Sequence, residues 1–113
     1  MSKKLQVGQI TANVNNFAPV NWDLLLAEKD VVFSITSDAA RSITGLLAPP
    51  SSDPLVVHVV NAGGFAITLS NNSGSSAAAN RFQFKADLVL AAGGGAVLLY
   101  DSAAPGWRCV ATY

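Results

Sequence analysis

The chain has 113 residues, of which 50% are apolar and only 12% charged, and its seven basic side chains are balanced by seven acidic ones. That length suits a single domain burying roughly 65% of the surface its unfolded form exposes, and charges scattered singly make no basic stripe to follow a phosphate backbone, so no nucleic acid partner is expected. Charge well below the roughly 25% of an ordinary soluble domain leaves surface and strand edges poorly protected, which points to an oligomer that covers the excess.

In chain order, residues 5–12 alternate Leu5, Val7 and Gln9 with Gln6, Gly8 and Ile10, the pattern of a first, edge strand. Gln6, Gln9 and Thr11 interrupt the apolar run that a secretion signal would need after Lys3 and Lys4, so the protein is expected to begin in a cytoplasm. Residues 13–21 are rich in Asn and hold Pro19, which predicts a loop or extended arm anchored by Phe17 and Trp22. Leu24, Leu25, Leu26 and Ala27 are helix-compatible, but the segment 23–30 is marginal in length, and an extended or irregular path is expected. VVFSITS at 31–37 is β-branched and alternating, a strand. Ile43 lies between Ser42 and Thr44 before Gly45, a short strand or bend, and APPSSD at 48–53 cannot continue a ladder.

Residues 55–60 (LVVHVV) are apolar on both faces, so this strand is either central or covered by a neighbouring subunit. Asn61-Ala62-Gly63-Gly64 predicts a tight hairpin into Phe65, Ile67 and Leu69. Residues 71–80 read as a surface loop, with Arg81 placed to tie it to the sheet. Phe82 and Phe84 resume a period of two, then come 88–90, a turn at Gly93-Gly94-Gly95, a strand at 96–100, and a last strand at 107–113 with Trp107, Cys109 and Ala111 on one side. The longest uncharged apolar run, 88–100, is short for a membrane span and broken by glycines, so no membrane is expected. Strands at spacings of about 8–12 residues predict an all-β, antiparallel β-sandwich, jelly-roll-like. An extended N-terminal arm, or edge strand with loop, is expected over 1–22 and a single sandwich domain over 23–113.

Reactive chemistry is sparse. His58, the one histidine, sits mid-strand, and the lone Cys109 alternates with Trp107 and Ala111 as a small strand residue and has no cysteine partner for a disulfide. The carboxylates have no calcium-loop spacing, and the glycine runs lack a following Lys-Ser/Thr. No enzyme activity, cofactor or metal is therefore expected. Trp22 and Trp107 suit core or interface positions better than a sugar platform. Tyr100, Asp101 and Ser102 close a strand and lead through Pro105-Gly106 into the last one.

The ordered series Ile43-Thr44-Gly45-Leu46, Val60-Asn61 with Gly63-Gly64, Ile67-Thr68-Leu69-Ser70-Asn71, Ser75-Ser76, Ala79-Asn80-Arg81-Phe82, and Ala96-Val97-Leu98-Leu99-Tyr100-Asp101 with Gly106-Trp107-Arg108 resembles a structural module of tailed-bacteriophage virions. It covers roughly residues 38–108. The resemblance implies a small capsid decoration, or cement, protein that forms homodimers or homotrimers. Such a protein would bind the major capsid protein on the outer surface of the mature capsid and stabilise the lattice. An initiator Met1 opening a small domain favours that role over a tail-fibre domain. The alternative is a tail-fibre or receptor-binding module that binds carbohydrate through Trp22, Trp107, Tyr100 and the Asn-rich loop. For decoration, the residues expected at an interface are Val14, Phe17, Trp22 and Leu24.

Overall fold

The computed structural model describes residues 4–17, 30–48, 55–100 and 105–113. They form eight strands: β1 (Lys4–Ile10), β2 (Asp30–Ser37), β3 (Arg41–Ile43), β4 (Leu55–Asn61), β5 (Ile67–Leu69), β6 (Leu88–Leu90), β7 (Gly95–Tyr100) and β8 (Trp107–Thr112). A single 3-10 turn, Ala78–Asn80, is the only helical element among the described residues. The strands make two sheets, one in the order β1-β2-β4-β7-β8 and one in the order β3-β5-β6.

The expectation of purely antiparallel, jelly-roll-like pairing is corrected: both sheets are mixed. β1 pairs with β2, β2 with β4, and β3 with β5, all in parallel, whereas β4–β7, β7–β8 and β5–β6 are antiparallel. The reason lies in the connections. After β2 the chain bends at 38–40 into β3 of the other sheet, and after β4 it passes through 62–66 into β5, so successive passes run in the same direction. The segment after β1 repeats the move, with Val14 bridging Ile43 and Phe17 bridging Leu46 in parallel. From β6 the chain makes its pass in reverse, from the smaller sheet into β7, which produces the antiparallel half.

The hairpin expected around Gly63-Gly64 is therefore a crossing between sheets. Glycine can take a hairpin's positive φ, but here the core claims Ile67 and Leu69 for the other sheet. The hairpin that does form is β7–β8, with an irregularity between Val97 and Leu98. Val97 faces Ala111 and Leu98 faces Cys109, which leaves Val110 as an extra residue in β8. That bulge breaks the alternation expected along 107–113.

The described part of 1–22, residues 4–17, is an edge strand and a loop. β1 is paired along its length with β2, and backbone hydrogen bonds tie Val14 to Ser42 and Thr44, and Phe17 to Gly45 and Leu47. Phe82 and Phe84 do not lie in a regular strand. Phe82 is fully buried between isolated bridges to Asn71 and Trp107, and Phe84 stacks on it at 5.2 Å.

Both sheets feed one core. Phe33 and Ile35 of β2, Leu55, Val57 and Val59 of β4, and Ala96, Leu98 and Tyr100 of β7 meet Ile43, Ile67, Leu69 and Leu90 of the smaller sheet. Each large apolar side chain fully buried there contributes about 1.5–3 kcal/mol. Trp107 is wholly buried, its ring 5.1 Å from Tyr100 in an edge-on contact, and its Nε1–H donates to the Leu46 carbonyl at 2.9 Å. The Tyr100 hydroxyl donates to Ala79 O at 2.9 Å, so the polar tips of both aromatics are satisfied inside the protein.

Candidate functional site

β4 is the middle strand of the larger sheet, and its side chains divide strictly: Leu55, Val57, Val59 and Asn61 are buried, while Val56, His58 and Val60 are half-buried on the opposite, outward face. The register extends that outward face across neighbouring strands. Val32 of β2 faces His58, which faces Val97 of β7; Val56 faces Leu99, which faces Arg108 of β8; and Ser34 stands beside Val60. Directly opposed residues share a face. On β2, β4 and β7 this gives a largely apolar surface of Val32, Ser34, Thr36, Val56, His58, Val60, Val97 and Leu99, with Asp30 opposite Val56 and Arg108 opposite Leu99 at the two ends of one row. A sheet face that meets water usually alternates to polar residues on the outside; this one does not.

A second apolar region borders it. The outer edge of β8 is covered at its start, where Trp107 N–H donates to Arg81 O at 2.9 Å and Gln83 N–H donates to Trp107 O at 2.7 Å. From Cys109 onward no described residue pairs on that side. The segment 109–113 carries no charge, and Val110 is 61% and Tyr113 63% exposed. Val89 of β6, 58% exposed, lies nearby across a cleft of about 240 Å³ lined also by Leu88, Leu90 and Thr112.

Two of the four residues that the sequence nominated for an interface are described. Val14 and Phe17 are half-buried against their own domain, and the Phe17 ring lies 5.6 Å from Phe33. Trp22 and Leu24 lie outside the described residues. Of the rings named for a sugar platform, Trp107 and Tyr100 are buried at 0% and 4% exposure, so neither offers a ring face to a ligand. The outward face itself was signalled in the sequence by the two apolar sides of 55–60, although not by any residue chosen there as a site.

The Asn- and Ser-rich segments form an internal fastening. Asn16, at a left-handed φ of 48°, accepts at Oδ1 from Ala77 N–H and from Asn80 Nδ2, and its own N–H donates to Ser76 Oγ. Ser76 Oγ also meets Thr44 Oγ1 at 2.7 Å, Ser76 O accepts from Arg81 Nε at 3.0 Å, and Asn80 Oδ1 accepts from Ala48 N–H. Arg81 thus ties the loop as its position suggested. Ser76 and Asn80 are buried, so the loop expected on the surface is rooted inside by these contacts.

Cys109 is exposed, with Sγ 3.5 Å from Ala111 O, and partial desolvation of the sulfur pushes its thiol above the ordinary value. That is the opposite of what activates a nucleophile. Among the described residues no group of three or more His, Cys, Asp and Glu is placed to hold a metal ion, and no helix is long and apolar enough to cross a membrane. Comparison with known protein families, with curated proteins and with solved structures found no match to this chain.

Proposed function

We propose that this chain is a structural subunit whose task is to assemble, packing the outward face of its larger sheet against a second copy of itself. The two mixed sheets are read as the layers of a sandwich around the common core. The observation that carries the reading is the row Val32–His58–Val97 beside Val56–Leu99, an apolar outer surface on the central strands. The middle of that surface is without charge, Asp30 and Arg108 standing only at the ends of the second row, and two copies related by a twofold axis present it with an identical apolar match. The low overall charge of the chain points the same way.

Together with the resemblance to tailed-bacteriophage virion modules, this supports a role as a capsid decoration protein. A homo-oligomer would clamp the exterior of the expanded lattice through contacts with the major capsid protein. Binding only to that state stabilises it by mass action.

Sedimentation velocity on the purified chain tests the first step. A concentration-independent oligomer is expected, and Val60→Glu, which places a carboxylate on the same outward face, is expected to release monomers with unchanged β-sheet circular dichroism. A wild-type monomer at every concentration would remove the reading. Co-sedimentation with expanded and unexpanded capsids tests the second step, with binding expected to the expanded form alone.

A further inference from the structure

A depression of about 390 Å³ opens where residues 83–85 run past the start of β8, and it is lined by Gln83, Phe84, Lys85, Arg108 and Cys109. That volume lies within the range of small-molecule sites, about 300–1,000 Å³. Arg108 has a prepared seat in its wall. Gly106, two residues earlier, has a φ of 116°, and a side-chain carbon at that position would come within 2.5 Å of Gln83 Cγ and 3.1 Å of Arg108 Nη1. The guanidinium therefore uses space that only a glycine leaves open.

Seated there, Arg108 Nη1 is buried and has no hydrogen-bond acceptor. Buried donors of a charged group are ordinarily paired. The ion pair between Arg41 and Asp38 involves neither Arg108 nor Lys85. Two cations, Lys85 and Arg108, thus line the depression together with Phe84, whose ring stacks on Phe82. A guanidinium presents paired N–H donors in a planar fork that matches the two oxygens of a carboxylate.

We propose that this pocket binds a small carboxylate-bearing molecule, with Arg108 gripping the carboxylate, Lys85 adding a second positive charge and Phe84 covering the ligand's apolar side. The concave shape favours a small molecule over the acidic side chain of another protein. So does the covering of the β8 edge by 81–83 at this end, which denies a neighbouring strand the backbone pairing it would need. The pocket borders the face of the assembly reading, because Arg108 faces Leu99 at the end of one row, but it needs none of the residues of β2, β4 and β7 on which that reading rests.

Isothermal titration calorimetry of the full chain with citrate and glucuronate, and with glucose as the neutral control, tests it. NMR of the arginine Nε–H signals would run in parallel. Saturable binding of at least one carboxylate probe is expected, with none of glucose. Lys85→Gln, at an exposed position, is expected to weaken binding roughly tenfold, and Arg108→Gln to abolish it, with melting temperatures checked for both. Added sodium chloride is expected to weaken the wild-type interaction. Failure of both probes to bind, or equal binding by wild type and Lys85→Gln, would overturn the proposal. So would an Arg108 signal that shifts with protein concentration alone, because a carboxylate of a second copy would then occupy the pocket.

Discussion

The side-chain amide of Asn61, at the end of β4, donates to the carbonyl of Leu90 on β6 at 2.8 Å, a buried hydrogen bond that joins the two sheets where the chain passes between them. The same Nδ2 donates to Phe65 O at 2.7 Å, and Oδ1 accepts from Gly63 N–H at 3.2 Å, which shapes the 62–66 crossing. The Asn61 backbone pairs with Gly93 and Gly94, so the return crossing is held by the same residue. Asn61 is wholly buried, and its side chain makes three hydrogen bonds.

Asn61→Ala leaves the buried bond to the Leu90 carbonyl and the part-buried one to Phe65 without their donor, an expected loss of about 1–3 kcal/mol that comes mainly from Leu90. Asn61→Asp retains the acceptor for Gly63 N–H but offers carboxylate oxygens to two carbonyls, and is expected to cost more. Urea denaturation of both variants measures this. An Asn61→Ala midpoint equal to the wild type would show that the crossings are held by other contacts.

Gly45 tests the packing of the Asn and Ser fastening. A side-chain carbon there would meet Asn80 O at 2.5 Å and Ser76 Oγ at 2.7 Å, closer than real contacts allow. Gly45→Ala is therefore expected to lose about 1–3 kcal/mol through overpacking. Adding Ser76→Gly removes the hydroxyl and Cβ of Ser76 but not the Asn80 carbonyl, so the double variant is expected to remain below Ser76→Gly alone. Thermal unfolding of the four proteins as a double-variant cycle reads the coupling directly.

The strands were legible in the sequence where alternation and β-branching coincide, as in Val31 to Ser37 and Leu55 to Val60. Their partners were not. Gly63-Gly64 reads locally as a hairpin because glycine permits one, but the deciding fact is that the Asn61 amide reaches Leu90, a contact 29 residues distant that no local pattern carries. Parallel pairing was hidden for the same reason, since it depends on successive passes lying side by side. Leu55 to Val60, apolar on both sides, did announce that the face carrying Val56 and Val60 needed explanation. The pocket at Arg108 left no such trace, because Gln83 and Lys85 reach it across the chain and nothing in the spacing joins them.

The bend that carries the chain from β2 to β3 provides a pH-dependent reading. Arg41 Nε donates to Asp38 Oδ1 at 2.9 Å and Arg41 Nη2 to Oδ2 at 3.2 Å, a paired contact at the surface. The hydrogen bond from Arg41 holds the Asp38 carboxyl below its ordinary value, with a small opposing effect of desolvation. A carboxylate whose folded value is depressed adds stability that is fully present above its unfolded value, about 3.9, and lost as pH falls through the folded one. Asp38→Asn removes the charge at every pH. The wild type is therefore expected to exceed the variant by a constant small margin at neutral pH, and that margin is expected to shrink below about pH 4. High salt should narrow it, because both side chains reach solvent. Urea midpoints for the two proteins at neutral and acidic pH, in low and high salt, give the four values needed. Since the bend also anchors Arg41 N–H on the Ala66 carbonyl, faster amide exchange at Arg41 in the variant would place the loss at this crossing. A margin that stays the same in acid would mean that Asp38 acts there as a polar turn residue, not as a charge.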